Sequence, residues 1–362
     1  MKKSKGYIVG LIAVTICFVS MWLYYLYTPI TYREGGYNYY LRPGTSKRLA
    51  ISELSQLGVV RHPLLFSLYV LPKKSTALKA GEYSFPKGST PASIWHQITT
   101  GTGLLYHQFT IVPGWTFIQL RSELAKTQGL RHITAEMDDQ QIMARLGYPN
   151  YSPEGLFFPE TYNYTRGIPD LIILKRAFDL MQIKLNNAWE HRAPALPYKN
   201  TYEALTVASM IEKEGYLDSE RPLIASVLIN RLKNDMLLQI DATVIYGLGQ
   251  RYDGKIHKAD LLENTPYNTY VHKGLPPTPI AMPGFSSIMA AMHPQQSDYF
   301  YYVAKGDGSH KFSKSLSQHN AAIQATSNEP NSNINQMLMR RHVEFMMQQR
   351  LNMPSYNSTF NK

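Results

Sequence analysis

The stretch ASMIEKEGYLDSERPLIASVLINRL, residues 208–232, sets four acids (Glu212, Glu214, Asp218 and Glu220) inside a segment otherwise composed like core helix. TYEALTVASMIEKEG (201–215) and DSERPLIASVLINRL (218–232) read as two helices joined by a short turn. At roughly 100° per residue, Ala204, Leu205, Val207, Ala208 and Ile211 form one broad apolar face, with Lys213 opposite. Glu212 falls beside Leu205 and Ala208, and Glu214 beside Val207, Met210 and Ile211, about 160° apart on the two margins of that face. A carboxyl at an apolar margin resists ionisation and suits a general acid near neutral pH. Acids on helix edges are also common surface features, and periodicity does not choose between Glu212 and Glu214. Asp218 or Ser219 is expected to cap the second helix, with Pro222 tolerated in its first turn. Acids there also suit the positive end of the helix dipole.

Working outward, residues 6–32, GYIVGLIAVTICFVSMWLYYLYTPITY, carry no charge. About 20 apolar residues suffice to cross a bilayer. Trp22, Tyr24, Tyr25 and Tyr27 gather at the distal end, where amphipathic rings prefer the interface, and Lys2, Lys3 and Lys5 precede the run. The expectation is a single-pass anchor with the N-terminus in the cytoplasm and everything after residue 33 outside. A cleaved signal peptide would have a shorter apolar region and small residues at its end. The one cysteine, Cys17, lies in this run, so the exported part has no disulfide, Cys-ligated metal or Cys nucleophile.

The 362 residues suit two domains, and 44% apolar content is enough for a sizeable core. The net charge of +11 is dispersed, without the dense Lys/Arg block of a nucleic-acid footprint. Such a surface suits an anionic polymer or membrane, or is simply a solvated basic face. Three segments, 42–60, 86–101 and 112–130, each run from Gly through Ser or Thr into a short amphipathic helix pattern. AGEYSFPKG (80–88) and YHQFTIVPG (106–114) alternate like strands. Residues 38–104 therefore read as a small α/β module, similar to LysM-like glycan-binding units. EGLFFPETYNY (154–164) is aromatic-rich and broken by Pro159, and suits either stacking on sugar rings or a core-packed loop. GLPPTPIAMPG (274–284) is a shaped loop, and YFYYVAKGDGSHKFS (299–313) reads as a hairpin turning near Asp307 and Gly308. Beyond residue 327, Ile334, Met337, Leu338, Met346 and Leu351 could line a helix face of unassigned function. His293, His310 and His319 lack metal-ligand spacing, and no phosphate loop or nucleophile elbow is present, so no metal or cofactor is expected.

IEKEG, SERPLIASVLINRL, LQIDATVIYGLG (238–249), YNTYVHKGLPP (267–277), AMPG (281–284) and HN (319–320) follow in the order seen in the YceG-like family. The chain resembles these membrane-anchored endolytic murein transglycosylases from the anchor to about residue 325. It departs at Ile240 and Ala242, where the family usually has Thr and Pro. The resemblance implies an α+β architecture: a tip and transmembrane helix (1–32), a LysM-like module (33–105), a mixed α/β lytic-transglycosylase-like catalytic domain (106–326) and a tail (327–362). It implies that Glu214 is catalytic and Glu212 its orienting neighbour. Glu212, Gln239, Asp241, Tyr246, Asn268, Tyr270 and Asn320 are the expected substrate-binding set. The implied reaction cleaves the β-1,4 bond between N-acetylmuramic acid and N-acetylglucosamine within nascent peptidoglycan strands. It leaves a 1,6-anhydro end and stops elongation. The implied setting is the bacterial inner membrane, with the catalytic domain in the periplasm beside penicillin-binding-protein synthases and no nucleic acid. A lysozyme-type hydrolase pairing Glu214 with Asp241, and a non-catalytic glycan-binding scaffold, are the alternatives.

Overall fold

The computed structural model describes residues 2–30, 36–72 and 77–327, so the expected C-terminal tail lies outside the described residues but for Ser327. The fold is a mixed α+β one with an N-terminal apolar helix. In chain order its elements are α1 (Lys2–Tyr27), β1 (Tyr37–Leu41), α2 (Lys47–Gln56), α3 (Pro63–Val70), β2 (Gly81–Phe85), α4 (Pro91–Thr100), β3 (Tyr106–Thr110), α5 (Phe117–Lys126), α6 (Asp139–Leu146), β4 (Thr161–Thr165) and α7 (Asp170–Glu190). They continue with α8 (Thr201–Glu214), α9 (Arg221–Lys233), α10 (Asp241–Leu248), α11 (Phe285–Met292), β5 (Tyr301–Ala304), β6 (His310–Ser313) and α12 (Leu316–Ser327). Among the described residues the strands pair two by two and antiparallel: β1 with β2, β3 with β4, β5 with β6. The chain divides into two compact units. One holds Met1–Ile111, Arg121–Asn150 and Glu160–Arg176; the other holds Val112–Leu120, Tyr151–Pro159 and Ala177–Lys362.

In the first unit, β1, α2, α3 and β2 form a β-α-α-β run closed by the β1–β2 pair, with Tyr39 opposite Tyr83. The expected helix starts are real. Ser46 accepts from Leu49 N, and Thr90 and Ser93 close a reciprocal capping box at α4. α4 ends at Gly101, whose φ of 84° is a left-handed conformation that glycine adopts without a Cβ clash. The core holds Leu41, Leu54, Phe66, Tyr83, Phe85, Ile94 and Trp95, with Phe66 edge-on to Trp95 at 5.9 Å. The end of α1 belongs to this core. Leu26 is 1% exposed, and Trp22 Nε1 donates to Leu65 O at 2.9 Å.

The second unit is organised by α8. Asn200 caps it by accepting from Glu203 N, and every residue from 204 to 211 is buried, so it is a core helix wrapped on all sides rather than a surface one. It packs against α9 and α11. Phe117 stacks on Phe157 at 5.2 Å between ring centroids, and Phe178 meets Phe157 edge-on at 6.2 Å. Leu156, Phe157 and Phe158 are buried in this unit, and Tyr162 and Tyr164 are buried on β4 of the first unit, which removes the sugar-stacking alternative for all five. Asp218 and Ser219 do not cap α9. Glu220 holds the cap position without a side-chain cap bond, and Asp218 pairs instead with Arg221 at 3.2 Å.

Candidate active site

α8 stops at Gly215, where an added Cβ would lie 2.7 Å from Arg221 Cγ, so the chain turns tightly and presents the helix's last residue, Glu214, at its free end. Burial raises the Glu214 carboxyl to about 7, the negative charge of Asp241 adds to that, and a hydrogen bond from Tyr302 and the charge of Lys213 oppose it. The helix C-terminus, with its partial negative charge, acts in the same direction as burial. Part of the Glu214 side chain stays open to solvent although protein atoms crowd round it. A half-buried carboxyl with a raised proton affinity is suited to exchange a proton with a bound molecule.

Four residues from separate elements converge there. The Tyr302 hydroxyl, on β5, donates to Glu214 Oε2 at 3.2 Å. Asp241 enters from the first residue of α10, and its Oδ1 accepts from the Tyr270 hydroxyl at 2.5 Å. Burial and the charges of Asp241 and Glu214 hold the Tyr270 phenol up, and burial with Glu214 does the same for Tyr302, so both remain hydrogen-bond donors. Arg231, on α9, is 8% exposed and ties the parts together. Its Nε donates to Phe300 O at 2.7 Å, and its Nη1 donates to Leu238 O at 2.9 Å and Gln239 Oε1 at 3.2 Å. One planar fork thereby joins the segment leading into Asp241 to the strand carrying Tyr302.

The other acid of the EKE motif faces the opposite way. Glu212 Oε2 accepts from Gly284 N at 2.9 Å and Ser287 Oγ at 2.8 Å, and Oε1 pairs with Arg221 at 3.3 Å. Gly284 is the N-cap of α11 and Ser287 lies in its first turn, so Glu212 sits at the positive end of that helix and accepts one backbone N–H and one hydroxyl there. Both of its oxygens are engaged by groups of the protein itself.

The remaining expected site residues divide. Gln239 is exposed and held at φ 53° by Arg231 and by its own N–H to Thr269 O at 3.0 Å, a costly left-handed conformation beside Asp241. Tyr246 donates to the buried Glu154 at 3.1 Å and packs on Tyr267 at 4.7 Å. Asn268 is 1% exposed, donates to the carbonyls of Asp260, Leu261 and Glu263 and accepts from Tyr270 N, which shapes the loop under Tyr270. Asn320 is exposed on α12 and is not brought into the Glu214 cluster by any described hydrogen bond; its neighbour His319 stacks on Tyr301 at 5.2 Å. Sequence reasoning missed Tyr302, Arg231, and the pair behind Tyr302: His310 sits edge-on to its ring at 5.4 Å and bonds Glu220 at 2.8 Å. The signal available was a hairpin with ring residues at alternate positions, Tyr302, His310 and Phe312, which alternation assigns to one face. Among the described residues no group of three or more His, Cys, Asp or Glu side chains is arranged to hold a metal ion.

A model of the YceG-like family matches residues 39–325. The chain is 33% identical over 298 residues to the endolytic murein transglycosylase of Bacillus subtilis (strain 168), across 77% of this chain and 81% of that relative. It is 29% identical over 284 residues to the endolytic murein transglycosylase of Streptococcus pneumoniae serotype 2 (strain D39 / NCTC 7466), across 69% of this chain and 51% of that relative, so it spans about half of the streptococcal protein. The crystal structure of a yceG-like protein from Listeria monocytogenes matches with a TM-score of 0.53 at 30% identity, over 80% of this chain and 100% of that one.

Proposed function

The chain belongs to the YceG-like family, and on that premise we propose that it is an endolytic murein transglycosylase whose catalytic acid and base is Glu214. One observation carries the reading: the Glu214 carboxyl is raised to about 7 and is still half-exposed at the end of α8. Such a group is half protonated at neutral pH and can both give and take a proton.

In the proposed reaction, protonated Glu214 donates to the glycosidic oxygen as the bond from C1 of N-acetylmuramic acid breaks. The resulting carboxylate takes the proton of the sugar's own C6 hydroxyl. That oxygen attacks C1 and closes a 1,6-anhydro ring, so no water is consumed and Glu214 returns to its starting state. Tyr302 occupies Oε2, which leaves Oε1 to carry the mobile proton. Asp241, fixed by Tyr270, adds negative charge beside the reacting centre, which favours the positive charge developing on the sugar. Tyr270, Gln239 and Asp241 are the groups proposed to meet the glycan. Tyr246, Asn268 and Glu212 act behind them.

The β-α-α-β run of the first unit supports the reading of a LysM-like glycan-binding module, with a lytic-transglycosylase-like catalytic domain following it. α1 is the proposed single-pass anchor: the span Gly6–Tyr27 is apolar, and its residues 6–21 are exposed. Cleavage as a signal peptide would remove Trp22 and Leu26 from the module they pack into, which favours retention. Basic residues ahead of the span favour a cytoplasmic N-terminus, with the catalytic domain on the periplasmic side, beside penicillin-binding-protein synthases whose strands it would terminate.

The test is mass spectrometry of purified glycan strands incubated with the protein or its Glu214→Gln variant. Internal fragments ending in 1,6-anhydro-muramic acid, absent with the variant, support the proposal. Fragments heavier by one water would support the lysozyme-type hydrolase, a second reading favoured by the closeness of Asp241 to Glu214. Binding without cleavage by the native protein would leave the scaffold.

A further inference from the structure

α3 carries an apolar stripe that no described residue of its unit covers. Leu64, Leu68 and the C-cap residue Leu71 are 82%, 54% and 44% exposed, whereas Phe66 and Val70 are fully buried. The i, i+4, i+7 spacing puts the three leucines on one face. The helix, PLLFSLYV, has no charged residue, and Arg61 lies exposed just before it.

The position of α3 along α1 is fixed. Trp22 Nε1 donates to Leu65 O at 2.9 Å, and the Tyr25 ring meets His62 edge-on at 5.3 Å. The apolar span of α1 is 22 residues. That is about 33 Å at the helical rise, against a hydrocarbon core of about 30 Å. If α1 crosses a bilayer, Trp22 and Tyr25 lie where hydrocarbon gives way to headgroups, and the start of α3 lies at the same depth. We propose that the stripe of Leu64, Leu68 and Leu71 enters the outer interface of the bilayer crossed by α1, a second contact that holds the module against the lipid surface. The proposal rests on reading α1 as an anchor. Three leucines form too small a patch for a stable protein dimer, but they suffice for a helix already tethered at the surface. Arg61 is placed to meet phosphates at the same level.

The test places spin labels on the full chain reconstituted in liposomes of phosphatidylethanolamine and phosphatidylglycerol. In a Cys17→Ser background, single labels go on Leu68→Cys, Leu64→Cys, Val14→Cys in α1 and Gln140→Cys at an exposed position of α6. At residues 64 and 68 the ratio of oxygen to water-soluble nickel-chelate accessibility should be several-fold higher than at 140, approaching that at 14. A ratio at 64 and 68 equal to that at 140 overturns the proposal while leaving the anchor intact. Labels at 64 and 68 shielded from both reagents would overturn it in favour of a protein partner. An aqueous signal at 14 would overturn the anchor, and the lipid contact with it.

Discussion

The Tyr302 hydroxyl donates to Glu214 Oε2 at 3.2 Å, joining a hairpin strand to the last residue of α8 across 88 positions of sequence. The bond works against the burial and the Asp241 charge that keep the carboxyl neutral, and sets which oxygen is free. His310 and Glu220 stand behind the phenol and hold its ring in place.

Tyr302→Phe keeps the ring and removes only that bond. A hydrogen bond to a charged group contributes about 1.5–3 kcal/mol, so the Glu214 midpoint in the pH dependence of kcat/KM should move up by about one to two units. Turnover should fall about tenfold as the mobile proton loses its assigned oxygen. A variant with an unchanged pH profile would make Tyr302 a packing residue only.

The raised value of Glu214 predicts a pH profile and a stability profile. A required acid with a midpoint of about 7 makes kcat/KM fall as pH rises through 7. For stability, a carboxyl whose folded value lies above its unfolded value supports the fold fully below about 4.5, and that support is lost as pH rises through about 7. Glu214→Gln should therefore be the more stable protein at pH 8, by up to about 3 kcal/mol, and lose that advantage at pH 4. Urea unfolding at both pH values checks it.

Asp241→Asn removes the like charge, so the Glu214 midpoint should move down by about one unit. At pH 7, kcat/KM should drop several-fold, with part of the loss recovered at pH 6. A loss as deep as that of Glu214→Gln at every pH would instead mark Asp241 as a second catalytic carboxylate.

Glu212→Gln should act on stability. The side chains of Glu212 and Arg221 are 6% and 13% exposed, and removing one partner of a buried ion pair costs about 3–5 kcal/mol. The urea midpoint should fall accordingly, while protein still folded at low urea should keep far more activity than Glu214→Gln.

Leu26→Ala should loosen the first unit although residue 26 lies in the apolar N-terminal helix. A buried leucine truncated to alanine costs about 2–5 kcal/mol, and Leu26 is 1% exposed in that core. Hydrogen exchange of the α2, α3 and α4 amides in detergent micelles should accelerate. Unchanged protection would show that the packing at Leu26 contributes little.

Local patterns in the chain made several elements legible. Turn chemistry marks Thr90 and the glycine after α4, alternation marks the β5–β6 hairpin, and the uncharged run marks α1, because each depends on neighbours a few residues away. The N-cap of α9 was misplaced at Asp218 or Ser219 because Arg221 and the turn at Gly215 draw Asp218 aside. Asn268 and Tyr246 read as cleft residues from their motifs, but the loop carbonyls and Glu154 that engage them are placed by folding.

The sequence by itself determined that α8 is apolar and ends in two acids on opposite margins, where either one suits a general acid or an ordinary helix edge. It could not tell the two apart. The tertiary structure gives them different surroundings by bringing Gly284, Ser287 and Arg221 to Glu212, and Tyr302 and Asp241 to Glu214. Donors and a cation stabilise Glu212 where it stands, whereas burial and a like charge hold Glu214 near neutrality. Proton affinity depends on every charge and dipole nearby in space, and those groups come from segments that only folding brings together.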